Sequence, residues 1–197
     1  MTLMPFSEAA SHIQEADVLL FRGEGLISWL IKRYGSGVHS HVGMAHWDDD
    51  NLECVEFREF KGGRSVSLKR VVENHPDNID VFRAAELVRF GGGVEHHFTD
   101  EVAHDITDVM QGLTGLPYGW KNFLKLGGHY LPFCRLAEQN IKDDDPTDVF
   151  VCSTAVAYAY RKAYLDPVPY LADNAVTPAD LARSCLFEYK FTIQKDW

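Results

Sequence analysis

The chain has 197 residues, 46% of them hydrophobic and 24% charged, which is the balance of a folded protein that buries one core rather than of a disordered one. A net charge of −10 excludes a general nucleic-acid binder, which needs a basic face, and argues against attachment to an anionic membrane surface. No apolar run approaches the roughly 18–20 residues of a membrane span, and residues 1–16 have neither a basic start nor a long apolar stretch, so no integral membrane segment and no secretory signal are expected. The expected location is the cytoplasm, with a phage-encoded origin or release by a signal-independent route as the alternatives.

Taken in chain order, residues 6–14 suit a short leading helix capped by Ser7, and Asp17-Val18-Leu19-Leu20-Phe21 a buried strand. Residues 26–34 have helical length and periodicity, with Gly35-Ser36-Gly37 as the stop. Strand-like runs follow at 40–47, 52–57, 65–68 and 79–83, divided by turn signals at 48–51, 61–63 and 76–78, with a short helix at 69–74. That pattern reads as an antiparallel meander. Gly91-Gly92-Gly93 marks a turn, and residues 94–113 a helix with Phe98, Val102, Ile106, Val109 and Leu113 along one face. Residues 120–126 and 133–141 read as helical pieces of an insertion at about 119–148, with a polar break at 143–146. Residues 152–164 form the clearest late helix, 180–183 a helical turn, and 186–193 a closing strand. The expectation is a single α+β domain over 1–197, a small antiparallel sheet or half-barrel packed on helices; the sequence sets no oligomeric state.

Four cysteines, at 54, 134, 152 and 185, are widely and irregularly spaced, so neither a zinc site nor a disulfide framework is expected. Cys54, Cys134 and Cys185 read as small buried hydrophobes. Cys152 differs, because it opens the alanine-rich helix Cys-Ser-Thr-Ala-Val-Ala-Tyr-Ala-Tyr. Free N–H groups and the positive end of the helix dipole there stabilise a thiolate, and the same N–H groups can hold an oxyanion. The plain alternative is a buried structural cysteine. His41 lies in a strand-like run with Gly43 and Ala45 on its face and Val42 and Met44 on the other. A strand fixes an imidazole as a general base requires. His39 and His46 are nearby rivals, and since His39 shares that face, spacing leaves it and His41 open. Glu56 stands in the next strand, flanked by Val55 and Phe57, and suits a half-buried carboxylate that orients an imidazole; a surface strand residue is the alternative. Glu53 and Glu59 read as solvated.

Several segments, in order, resemble the circularly permuted NlpC/P60 group of papain-like enzymes, in the branch containing YiiX-like and lecithin:retinol acyltransferase-like proteins. Asp17-Val18-Leu19-Leu20-Phe21-Arg22-Gly23 is similar to that group's opening, and Ser40-His41-Val42-Gly43-Met44 to its histidine strand. Val55-Glu56 with Gly63-Arg64-Ser65-Val66, Gly115-Leu116-Pro117-Tyr118-Gly119-Trp120, Val151-Cys152-Ser153 and Thr177-Pro178-Ala179-Asp180-Leu181-Ala182 extend the resemblance over nearly the whole chain. It departs at Thr154, where the group commonly carries Glu, in the absence of a tyrosine just before Cys152, and over residues 121–148. The resemblance implies a permuted papain-like fold with Cys152 as nucleophile, His41 as base and Glu56 as third member.

His96, His97 and His104 lack acidic or cysteine neighbours at metal-site spacing and read as solvated, with His97 and His104 on one helix face. No metal and no cofactor are expected. Tyr118, Trp120, Phe123, Tyr130 and Phe133 read as a subdomain core or as an apolar wall over the site. The leading expectation is hydrolysis of an amide in a small peptide-like substrate, such as a cell-wall peptide or an amino-acid conjugate, through a thioester. Lipid acyl transfer or deacylation by the same Cys–His site is the second, and a non-catalytic binding module the third.

Overall fold

The computed structural model describes residues 2–23, 37–75, 78–89, 95–119 and 150–196. Among them, β1 (Leu3–Pro5), β2 (Val18–Phe21), β3 (His41–Asp48), β4 (Asn51–Arg58), β5 (Gly62–Ser67), β6 (Ile79–Ala84) and β9 (Phe187–Gln194) form a seven-stranded sheet in the order β1-β9-β6-β2-β3-β4-β5. β7 (Leu87–Arg89) and β8 (Glu95–His97) pair as a separate ribbon. The helices are α1 (Phe6–Ala9), α2 (Leu68–Asn74), α3 (Asp100–Gly112), α4 (Cys152–Lys162) and α5 (Pro178–Arg183). The architecture is α+β, as expected. The sheet is larger than the small one read from the sequence and is mixed, because β1 runs parallel to β9 with Leu3 opposite Thr192.

β2 lies between β6 and β3, and all four of its residues are buried. A strand covered on both faces needs no alternation, which is why its sequence is the unbroken run Val-Leu-Leu-Phe. One face of the sheet carries Val18, Leu20, Val42, Met44, Val55 and Phe57 into a core shared with α3 and α4. The other carries Leu19, Phe21, Ala45 and Cys54 into a second core with α2 and the N-terminal segment. This is the alternation expected of β3, with Val42 and Met44 on one side and Ala45 on the other.

The β3–β4 turn sets the register on which the site depends. Asp48 pairs with Asn51, so two residues make the connection, and Asp49 takes φ 51°, a left-handed conformation that Asp adopts more readily than most residues. Counting back from that turn places Gly43 opposite Glu56. Gly43 is required for close approach: a Cβ there would stand 2.5 Å from Cys54 Sγ and 3.5 Å from Glu56 Cβ.

Several boundaries differ from expectation. Helix α3 starts at Asp100, not 94, because Thr99 is extended and its Oγ1 accepts the Val102 N–H at 3.3 Å. Glu95–His97 is strand β8 instead, so His97 and His104 do not share a helix face. Ser7 does not cap the leading helix: Pro5 holds that position, while the Ser7 N–H and Oγ reach Asp196 at 2.9 and 3.1 Å. That helix is short, passing into a 3-10 turn at Ala10–His12. Helix α5 begins at Pro178, earlier than read, behind a Thr177–Asp180 capping box. The helix expected at 26–34, the turn at 91–93 and the pieces at 120–126 and 133–141 lie outside the described residues. The flanks of that last stretch meet, since Gly119 N–H donates to Phe150 O at 2.9 Å.

Helix α4 is anchored to the sheet through its last turns. Tyr160 is fully buried and donates its hydroxyl to Ala16 O at 2.7 Å, just ahead of β2. Beside it, Arg83 holds the Asp17 carboxylate through two contacts of 2.8 Å. Removing the hydroxyl leaves the Ala16 carbonyl short of a buried donor. Tyr160→Phe is expected to lower stability by about 1–2 kcal/mol, read as a lower urea midpoint at unchanged slope.

Candidate active site

His41 opens β3 and pairs with Phe21 of β2, while the pairing of β3 with β4 ends at Gly43. Its ring packs against Phe21, with centroids 5.1 Å apart. Because Gly43 lies two residues on and opposite Glu56, the period of two puts Glu56 on the face of His41. His41 Nε2 and Glu56 Oε2 are 2.6 Å apart. With Nε2 engaged by the carboxylate, the ring nitrogen left for a second partner is Nδ1.

Glu56 is fully buried. Its carboxylate is held from a third side by Arg64, which directs Nε to Oε1 at 3.0 Å and Nη2 to the same oxygen, and Arg58 Nη1 stands 3.4 Å from Oε2. Burial is the largest single influence and pushes the carboxyl up. The His41 hydrogen bond, the His41 charge and the two arginines outweigh it and hold Glu56 well below the usual carboxylate range.

Cys152 is the first residue of α4 and is 5% exposed. The preceding Val151 is extended and offers no side-chain acceptor to the N–H groups that start the helix. Thr154 completes the reverse half of a cap, its Oγ1 accepting the Val151 N–H at 2.9 Å, a role a Glu at that position would also serve. Ser153 is tied away from the cysteine, donating to Val176 O at 2.6 Å. Around Cys152, Phe150 packs on Phe57 and Tyr158, with centroids 5.7 and 5.1 Å apart. Tyr118 also lies here. Burial pushes its phenol up, and the charges of Cys152 and Glu59 push it further.

The Cys152 sulfur and Glu56 bracket the imidazole. Burial, the largest influence, pulls His41 down, but the charge and hydrogen bond of the Cys152 sulfur, then the hydrogen bond and charge of Glu56, overcome it and push His41 up to about 9. Geometry thus brings Cys152, His41 and Glu56 together.

It separates the rivals. His39 is buried with Nε2 2.7 Å from Asp80 Oδ2, in a cluster where Asp80 also accepts from Arg22 and Thr192. His46 pairs with Glu15 at 2.6 Å. Glu53 is not simply solvated, since it accepts from Ser65 Oγ. Cys54 is buried, and burial pushes its thiol well up, whereas Cys185 is exposed. Cys134 lies outside the described residues. The arginines on Glu56 were missed by sequence reasoning. Arg58 is two residues beyond Glu56, and Arg64 is its cross-strand partner on β5, visible only when that strand is extended back to Gly62.

No family model matches the chain, and no curated protein matches it at a significant level. Among solved structures, it is similar to the crystal structure of metalloprotein YiiX from Escherichia coli O157:H7, with a TM-score of 0.56 and 15% identity over 93% of this chain and 98% of that one. Such a likeness speaks for a shared fold. Metal binding is said of that protein; among the described residues here, no group of three or more His, Cys, Asp or Glu side chains is arranged to hold a metal ion. No helix among them is long and apolar enough to cross a membrane.

The His41 shift carries a signed pH dependence. Its ordinary value of 6.5 is raised to about 9, so the stability contributed by its charge is present below 6.5 and is lost as pH rises through 9. The ring resonances of His41 should titrate with a midpoint near 9 by NMR, falling in both Glu56→Gln and Cys152→Ser. A wild-type midpoint at the ordinary value contradicts this geometry.

Proposed function

We propose that this chain is a cysteine-nucleophile hydrolase of the circularly permuted papain-like, NlpC/P60 kind, within its YiiX-like branch, and that it cleaves an amide bond in a small peptide-like substrate. The observation that carries the reading is the single imidazole held between a buried carboxylate and a cysteine at a helix start. The YiiX likeness supports the fold half of the reading.

In the proposed reaction, Glu56 accepts the Nε2–H of His41 and so presents Nδ1 as the base. Nδ1 takes the Cys152 proton, and the sulfur attacks the substrate carbonyl carbon. The carbonyl electron pair moves onto oxygen, where the Cys152 N–H and its neighbours at the start of α4 donate to it. The tetrahedral adduct collapses, the C–N bond breaks, and the imidazolium gives its proton to the departing amine. A thioester remains on Cys152. Water, deprotonated by His41, attacks that thioester, the C–S bond breaks, and acid and thiol are regenerated. The buried Glu56 stabilises the imidazolium throughout, and its arginines keep it ionised.

Incubation with an activated acyl ester and with N-acyl amino-acid anilides tests this reading by intact mass and amine release. One acyl group is expected on Cys152, none in Cys152→Ser, and acylation slowed roughly 10²–10⁴-fold in His41→Ala. A folded protein that acquires no acyl group at Cys152 from any of these substrates contradicts it. Transfer of the trapped acyl group to a lipid amine in preference to water indicates an acyltransferase instead.

A further inference from the structure

A strongly basic concavity lies apart from the Cys152 site. It is a cavity of about 420 Å³ lined by Arg58, Lys61, Arg64, Val66, Arg70, Val71, Asn74 and His75, between β4, β5 and α2. That volume falls in the range of small-molecule sites. Neither Cys152 nor His41 lines it. Four Arg and Lys side chains and a histidine converge there, with no carboxylate in the lining, in a chain whose net charge is −10.

Gathering like charges is unfavourable, and a counter-charge in the space between them relieves the repulsion. Glu56 supplies one negative charge behind the wall, and Arg64 and Arg58 turn toward it. That single charge is shared among His41, Arg64 and Arg58. The charged ends of Lys61 and Arg70 make no ion pair with a carboxylate among the described residues. The Asn74 side-chain amide adds a donor at the rim, though it already reaches Arg70 O at 2.6 Å. Lys61 and Arg70, with the two arginines that share Glu56, suit a multivalent anion better than a single carboxylate, and guanidinium forks match phosphate oxygens. Val66 and Val71 give the lining an apolar portion for an organic substituent.

We propose that this cavity binds a soluble, phosphate-bearing small molecule, with Lys61 and Arg70 as its principal charge contacts and Arg58 and Arg64 shared with Glu56. The site goes beyond the hydrolase reading and stands without it. Its recognition is electrostatic, so affinity should fall as salt rises.

Calorimetric titration of the full chain with pyrophosphate at low salt tests it, alongside the charge reversal K61E/R70E and the milder Arg70→Gln, each checked for folding by far-UV circular dichroism. Wild type is expected to bind one pyrophosphate, R70Q more weakly, and K61E/R70E at least roughly tenfold more weakly, as follows from loss of charge-assisted contacts. No heat from millimolar pyrophosphate overturns the proposal, as does equal binding by wild type and a folded R70Q. Capture by phosphatidic-acid vesicles without binding of pyrophosphate overturns the assignment of a soluble ligand.

Discussion

The buried charge of Glu56 is the constraint around which this molecule is arranged. A carboxylate with no exposure keeps its charge only if hydrogen-bonding cations surround it, and here His41, Arg64 and Arg58 do so. Removing one partner from such a cluster strands charge in the core, at a cost of roughly 3–5 kcal/mol by analogy with other buried pairs. All four residues lie on β3, β4 or β5, so two hairpin registers must be right at once. The Asp49 turn sets the first, and the small Gly43 lets the Glu56 side of β4 close on β3. The start of α4, fixed at its other end through Tyr160, then brings Cys152 within reach of the imidazole.

Two histidines only two residues apart illustrate how finely that arrangement discriminates. His39 precedes β3 and pairs with Asp80 of β6; His41, inside β3, pairs with Glu56 of β4. Each has a buried carboxylate at hydrogen-bond distance, so a carboxylate alone does not distinguish a base from a structural histidine. What distinguishes His41 is the Cys152 sulfur, whose charge and hydrogen bond also act on the ring. The basic cavity beyond Glu56 adds a consequence: the arginines that keep the carboxylate ionised also face a space suited to an anion, so the two regions share charge through Arg58 and Arg64.

Much of this was legible in the sequence because its signals are local. Alternation in Ser40-His41-Val42-Gly43-Met44 located β3 and its two faces, and the acidic turn after it placed Glu56 on the adjoining strand. The helix beginning at Cys152 was visible in its alanine-rich composition. What stayed hidden depends on distant pairing. Arg64 meets Glu56 across a hairpin whose second strand starts three residues earlier than its β-rich core suggests. The parallel partnership of β1 with β9 joins the two ends of the chain, and three edge residues carry no period. The helix read from 94 begins only after Thr99 because a cap overrides the apolar stripe that extends back to Phe98.

The central claim is that Cys152 is set apart from the other cysteines by His41 and Glu56. Alkylation by iodoacetamide across pH, with each modified cysteine located by mass spectrometry, tests that claim most directly in wild type, His41→Ala and Glu56→Ala. Cys152 is expected to react fastest of the cysteines at near-neutral pH, and to lose that lead when His41 is replaced. A Cys152 that reacts no faster than Cys54, Cys134 or Cys185, and is indifferent to His41→Ala, contradicts it.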